Sequence, residues 1–446
     1  MAGHRSTSLM RSVQWFGASY GIAIIGYLGV NAAASRLVGV SDFGRFVVIV
    51  NATILLGQLG LLGVHRSGLR EAAQLDYADV DRLAELRAGV AAVTTLALPT
   101  VSLSTGLVTW LLLDQYDDGS RLWVALLTGI LVYLTGQQRL CANFLRGLGH
   151  VRVAGLLEGR SGGAFVAVSQ TAVVLLILLL WPESGLVGAL AGTVAGFALP
   201  VLLARAFLGR RWAHTQRQPG RWRNLTKVFR RDWKFVVSQS GAYANSSLEL
   251  WLAAALLSPF ATSMFGASYR LAHLLAIPNT SLQTVFSPAI ARMSAQKDRK
   301  PLQHLLRTGS SLATVMSALV WLPLVCFPAA ILTLVFGADF KDAAAVLVIL
   351  ASGYVVRAMC GLSAVTLSMS HREGVVAIVT WSGLALRVVL GVIAALTWGV
   401  IGLAATSVAT MLFNNALMWW HVRRLLGVST HATLRPRLRM LLKVSG

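Results

Sequence analysis

The chain has 446 residues, 56% hydrophobic and 13% charged, with a mean hydropathy of +0.67 and a formal net charge of +22. Soluble globular chains are roughly 45–50% apolar and about 25% charged, so the composition excludes a soluble enzyme, a disordered chain, a coiled coil and a secreted disulfide scaffold. Cys141, Cys326 and Cys360 fall in or beside apolar runs without metal-ligand spacing, so neither a zinc site nor a disulfide framework is expected.

Apolar runs long enough to cross about 30 Å of hydrocarbon at about 1.5 Å per residue recur along the whole chain. They predict spans over residues 14–35, 43–64, 89–112, 122–144, 153–181, 185–208, 235–257, 262–286, 308–335, 343–368, 374–397 and 400–422. The first run ends in no A-x-A cleavage site and is read as a retained span, not a signal peptide. The predicted fold class is therefore an all-α polytopic membrane protein of about twelve transmembrane helices. Residues 1–208 form an N-lobe, 209–234 a basic linker, 235–424 a C-lobe and 425–446 a basic tail.

The cations separate by side. Of the 39 Lys and Arg residues, 31 fall in the N-terminus, the even-numbered loops and the tail; the opposite loops keep Arg36, Arg45, Arg121 and Lys341. The positive-inside rule then puts both termini in the cytoplasm, and it accounts for the net charge without nucleic acid. In the linker, Trp222, Leu225, Phe229 and Trp233 recur at helical spacing among Arg and Lys, and the tail reads THATLRPRLRMLLKV. Both segments suit interfacial helices on anionic membrane lipids, or serve only to fix topology.

The halves echo each other. SDFG at 41–44 opens the second span and SMFG at 263–266 the eighth; SGLVGALA at 184–191 matches WGVIGLAA at 398–405. The repeat unit is six spans. An even number keeps both copies in one orientation, with a pseudo-axis along the membrane normal.

SRLVGVSDFGRF followed by LGLLGVHRSGLRE, FGASYRLAHLLAIPNTSLQTVFSPAIAR, VFGADFKDAAAVLVILASGY and WGVIGLAATSVATMLFNN together cover much of the chain. In these segments it resembles the Wzx-like polysaccharide repeat-unit flippases of the multidrug/oligosaccharidyl-lipid/polysaccharide (MOP) exporter superfamily. The resemblance implies two pseudo-symmetric six-helix lobes around a central cavity that opens alternately to each side. It implies a lipid-linked oligosaccharide on polyprenyl pyrophosphate as cargo, and polysaccharide assembly proteins as neighbours. Where that family often has an acid in the seventh helix, this chain has Glu249, one methylene longer than the commoner Asp.

A charge at mid-bilayer costs at least ~2.5–3.5 kcal/mol, so each one needs a reason. Arg270, Arg357 and Arg387 lie mid-span in the eighth, tenth and eleventh helices. Glu249 and Arg270, at matched depths in adjacent helices, are expected to pair. Arg357 and Arg387 have no evident acid at their depth and are read as a cationic cavity wall; the arginine fork matches phosphate oxygens and stays protonated. Arg160, beside Glu158, is the N-half counterpart unless it snorkels to the interface. Gln239, Tyr243, Ser246 and Glu249, flanked by Asn245, form a polar stripe unsuited to lipid. Asp42 is either a helix N-cap or a coupling acid, His273 a proton relay or a packed side chain, and Asn414 and Asn415 helix-to-helix glue.

Three functions compete. A lipid-linked oligosaccharide flippase fits the two-lobe bundle and its cations. A multidrug antiporter for organic cations would want acids where this chain has arginines, and a lipid II flippase usually has fourteen spans where twelve are predicted. A membrane polymerase or ligase would carry a large extracytoplasmic loop, and none is expected. No GxGxxG, Walker A or HExxH motif occurs, so the expectation is a non-enzyme with no cofactor or metal.

Overall fold

Backbone polar groups in hydrocarbon must be satisfied within the segment, which an α-helix does. Every regular element among the described residues is helical. The structure, a computed structural model, describes residues 21–65, 67–68, 80–148, 150–157, 163–211, 222–296 and 299–433. Among these, seven helices are long and apolar enough to cross a membrane, one of them the 54-residue Glu373–Leu426, and shorter apolar helices cover Gly21–Leu37, Ala164–Leu180 and Ser247–Leu256. The chain divides into two compact units, Met1–Ala244 and Asn245–Gly446.

In the N-terminal unit, α1 is Gly21–Leu37 and α2 is Val40–Gly60. Helix α3 (80–112) runs from Val80–Ala92 through a π-helical turn, Val93–Ala97, into Leu98–Leu112. Pro99 explains the turn: it has no N–H to donate, and its ring crowds the carbonyl four residues back, so the backbone widens ahead of it. Helix α4, Asp118–Gly147, starts at Asp117, whose carboxylate accepts from the Ser120 amide at 2.9 Å. A short helix, Val151–Leu157, precedes α5, Ala164–Leu180; α6 is Gly185–Arg211. Helix α4 is the hub, packed on α2, α3 and α6, while α5 lies along α6.

Helix α7, Trp222–Leu256, crosses the boundary between the units as one continuous element. Val228 is buried against Leu86, Phe144 and Leu61 of the N-terminal unit, while Trp222, Phe229 and Trp233 stay exposed on one face.

In the C-terminal unit, α8 (259–295) runs from Pro259–His273 through a 3₁₀ turn into Ile277–Ala295. Ser258 caps it, its hydroxyl accepting from the Ala261 amide at 3.2 Å. Helix α9 is Arg299–Cys326 and α10 is Ala344–Cys360. Glu373–Leu426 breaks at Gly399, with φ of 59° and ψ of −140°, giving α11 (373–398) and α12 (400–426). Helix α10 packs on α8, on α9 and on the α11–α12 pair.

Three predicted spans prove interrupted. The fifth is not continuous, since α5 starts at Ala164 after a separate short helix. The ninth breaks at Phe327, where Pro328 starts a new helix, Pro328–Phe336. The tenth ends at Gly361, whose φ of 85° no helix accommodates, and Ser363–Met369 forms a separate turn. Apolar residues run through the breaks at Phe327 and Gly361, so hydropathy alone does not reveal those two, whereas the first falls at EGRSGG, residues 158–163. Leu103, Leu107, Leu111 and Leu112 on α3 and Leu176, Leu179 and Leu180 on α5 are exposed, as expected of helices solvated by lipid.

Candidate functional site

In the C-terminal unit, α7, α11 and α12 meet at a buried charge pair. Arg387 Nη1 lies 3.0 Å from Glu249 Oε1, and both side chains are at least nine-tenths buried. Arg387 also donates from Nη1 to the Asn245 carbonyl at 2.9 Å and from Nε to the Thr410 hydroxyl at 3.0 Å. One guanidinium thus ties three helices together. Asn414, one turn beyond Thr410, sits against Gly383, one turn before Arg387; any Cβ there would strike its amide. Asn414 Oδ1, Asn245 Oδ1 and the Ser407 hydroxyl are buried without a hydrogen-bond partner.

This geometry corrects two expectations. Glu249 pairs with Arg387, not with Arg270; Arg270 is buried and donates to its own helix, to the Gly266 carbonyl at 3.0 Å. Arg387 does have an acidic partner, since α7 and α11 pack side by side, with Leu252 against Gly391 one turn further along. Arg357, on α10, is half-buried and has neither a hydrogen bond nor an ion pair to a described residue. His273 stacks between Tyr269 and Tyr354, with ring centroids 5.8 and 5.9 Å away.

In the N-terminal unit a second polar cluster forms where α2, α4 and the first part of α7 meet. Tyr243 Oη accepts from Gln58 Nε2 at 2.9 Å and from Arg139 Nη2 at 2.6 Å. Gln137 and Gln138 are buried beside them, and Gln138 donates to the Leu157 carbonyl. Arg139 is half-buried and has no carboxylate partner among the described residues. It is one of the 31 cations assigned to the cytoplasmic side, as part of the fourth loop, yet it lies within the predicted span 122–144, and α4 continues eight residues beyond it. The signal it missed is Thr135, Arg139 and Asn143, a polar stripe at i, i+4, i+8; Asn143 Nδ2 donates to the Arg139 carbonyl at 2.8 Å.

Asp42 does not cap α2. Gly39 holds the cap position, and Asp42 pairs with Arg45 at 2.6 Å and accepts from the Tyr116 hydroxyl. Burial, together with the Asp42 carboxylate, pushes the Tyr116 phenol up to about 12. The predicted stripe on α7 is divided: Tyr243 serves the N-terminal unit, Asn245 and Glu249 the C-terminal unit. The side chains of Gln239 and Ser246, and the whole of Arg160, lie outside the described residues. Also unforeseen is a buried cluster of Ser67 and Asp232, 2.6 Å apart, with Arg231 bonded to both at 3.0 Å. No group of three or more His, Cys, Asp or Glu among the described residues is arranged to hold a metal ion.

The model of the lipid II flippase MurJ family matches residues 163–444, more than half of the chain. Among curated proteins, a probable low-salt glycan biosynthesis flippase, Agl15 of Haloferax volcanii, is 20% identical over 196 residues, 44% of this chain. That match spans 42% of the length of Agl15. Among solved structures, the lipid II flippase MurJ in an inward closed conformation has a TM-score of 0.69 at 12% identity, covering 96% of this chain and 89% of that one. An inward-facing MATE multidrug resistance transporter of the MOP superfamily gives 0.65 at 13%, covering 92% and 95%. The Vibrio cholerae MATE transporter VcmN in its bent form gives 0.55 at 16%, covering 94% and 98%. At such identities the structural likeness shows the fold alone. The fold is that of the MOP exporters, these relatives are flippases and transporters and not enzymes, and the chain belongs to the lipid II flippase MurJ family.

Proposed function

We propose that the chain is a flippase carrying polyprenyl-pyrophosphate-linked oligosaccharide repeat units from the cytoplasmic to the outer leaflet of a bacterial inner membrane, by alternating access, for cell-surface polysaccharide synthesis. One observation carries the assignment of an anionic cargo. Each unit holds a half-buried arginine without a carboxylate partner among the described residues, Arg139 in the first and Arg357 in the second. A half-buried guanidinium left unneutralised is costly unless an anion visits it. Pyrophosphate offers the planar, bidentate acceptors that arginine matches best. Tyr243, itself bonded by Gln58, holds the Arg139 head through one nitrogen and leaves the other N–H groups for a ligand. Arg387 is committed to Glu249 and belongs to the framework. Both termini face the cytoplasm, on the 31-to-4 partition of cations.

Lipid II is the second reading, favoured by the family whose model matches. The two cargoes share the pyrophosphate and differ in the glycan. Purified protein in liposomes, offered either lipid at equal concentration, separates them: faster flipping of lipid II sinks the repeat-unit assignment. For either cargo, Arg139→Ala and Arg357→Ala should each slow flipping about tenfold to a hundredfold, the worth of one or two charge-assisted hydrogen bonds. Unchanged flipping in both variants would remove the anion assignment.

A further inference from the structure

Beyond α12 the chain turns back into the C-terminal unit. Gly427 ends the helix in the left-handed region, with φ of 67°, and its N–H donates to the Arg423 carbonyl at 3.2 Å. Residues 427–433 then run as a strap without helical structure. Val428 and Thr430 are fully buried. Thr430 takes a hydrogen bond from Ser310 at 2.6 Å, donates to the Cys360 carbonyl at 2.9 Å and touches the Ser363 hydroxyl at 2.8 Å. The Ser429 amide donates to Gln303 at 3.1 Å, Ala432 to the Met359 carbonyl at 2.9 Å and Thr433 to Ser311 at 2.7 Å. Seven residues thereby lock the end of α12 to α9, α10 and the Ser363–Met369 helix.

The strap also delivers His431 to a cationic place. Trp419 Nε1 donates to His431 Nδ1 at 3.2 Å, so the neutral ring carries its proton on Nε2, a donor aimed away from the indole. The Arg423 guanidinium lies over Trp419, 5.7 Å from the ring centroid. Arg307 enters from α9. Its carbonyl accepts from Ser311, the same hydroxyl that donates to the Thr433 carbonyl, and its Nε is buried without a hydrogen-bond partner. Burial, with Arg307 and Arg423 nearby, holds His431 below the ordinary histidine range. No carboxylate among the described residues pairs with Arg307 or Arg423. The next residue, Trp420, is exposed, with Arg424 5.1 Å over its ring, an aromatic–cation pairing suited to a headgroup layer.

We propose that the strap completes a phosphate site at this end of the C-terminal unit, where Arg307, Arg423 and the His431 Nε2–H, backed by Trp419, bind the headgroup of an anionic phospholipid from the adjoining leaflet. The site is separate from the cargo arginines and does not depend on the nature of the cargo. Bound lipid offsets part of the charge of two cations that the fold leaves unbalanced, and it fastens the strap to the membrane surface.

The test is native mass spectrometry of the full chain in detergent, with phosphatidylglycerol or phosphatidylcholine added at equal concentration. The wild type should retain phosphatidylglycerol about tenfold more than phosphatidylcholine, the worth of one charge-assisted contact. Arg307→Gln combined with Arg423→Gln should abolish that preference. His431→Gln, which keeps an acceptor for the Trp419 indole, should weaken it and serves if the double variant fails to assemble. Equal retention of the two lipids by the wild type, or a preference that survives all three substitutions, overturns the proposal. Displacement of the phospholipid by an equal concentration of inorganic phosphate would also overturn it, since the site would then take free phosphate.

Discussion

Glu249 and Arg387 show how much one side-chain pair fixes. Each is nearly buried, and each would be left as an unpaired charge without the other. Removing one member of a buried pair costs roughly 3–5 kcal/mol, while removing both costs far less than the sum. Glu249→Ala and Arg387→Ala should therefore each lower the thermal midpoint in detergent sharply, and the double variant should recover much of the loss. Arg270→Ala combined with Glu249→Ala should be additive, because Arg270 bonds to Gly266 and not to Glu249. Coupling between 249 and 270 but none between 249 and 387 would contradict the geometry. Tyr116 gives a pH signature. Its folded pKa is raised to about 12, so the folded state holds the phenolic proton more tightly than the unfolded state does. That contribution is complete below the unfolded value of about 10 and is lost as pH rises through the folded value. The wild type should then lose stability relative to Tyr116→Phe only at strongly alkaline pH, in melting curves taken across that range. The five ionisable groups of these two clusters are plain in the sequence. Their pairing is not, since Asp42 to Tyr116 and Glu249 to Arg387 are separated by 74 and 138 residues.

At the scale of elements, helix existence follows from apolar length, and helix interruption follows from local stereochemistry. Pro99 and Pro328 mark their breaks by residue type. Gly361 and Gly399 do so only in context, because the chain has 41 glycines and many of them are helical. Gly361 is doubly constrained: its φ is 85°, and a Cβ would run into the Thr430 carbonyl and the Ser310 hydroxyl. Gly361→Ala should expel the strap and cost about 1–3 kcal/mol through backbone strain, with hydrogen exchange rising at residues 428–433. Gly399 also has positive φ, but nothing lies near its Cβ position. Gly399→Ala should cost about 1–3 kcal/mol through backbone strain alone, leaving strap exchange as it was. Equal exchange in both variants would show that Gly361 does not hold the strap.

For the whole molecule, the partition of cations and the chemistry of the proposed cargo combine into a statement about driving force. A pyrophosphate headgroup carries about two negative charges, and each charge leaving a negative interior gains ~2.3 kcal/mol per 100 mV. Outward transfer without a co-transported ion would then be driven by roughly 4–5 kcal/mol per 100 mV. Flipping in proteoliposomes should accelerate when a potassium–valinomycin potential is imposed with the interior negative, and slow when it is reversed. Indifference to the potential, with activation by a proton or sodium gradient instead, would return His273 to consideration as a coupling group.

Sequence alone determined the class of solvent and the presence and order of the apolar helices, because these depend on composition summed along each run and not on which runs touch. It also located Glu249, Arg270, Arg357 and Arg387 as charges needing a reason. Tertiary structure decided what each reason is. Arg387 became framework when α11 packed against α7, and Arg139 joined a polar cluster when α4 packed beside Tyr243. A polar tail segment, Ser429 to Thr433, became core when its backbone found partners on α9 and α10. A buried polar group is stable only with partners, and partners distant in sequence are brought together by packing, which no window of sequence contains.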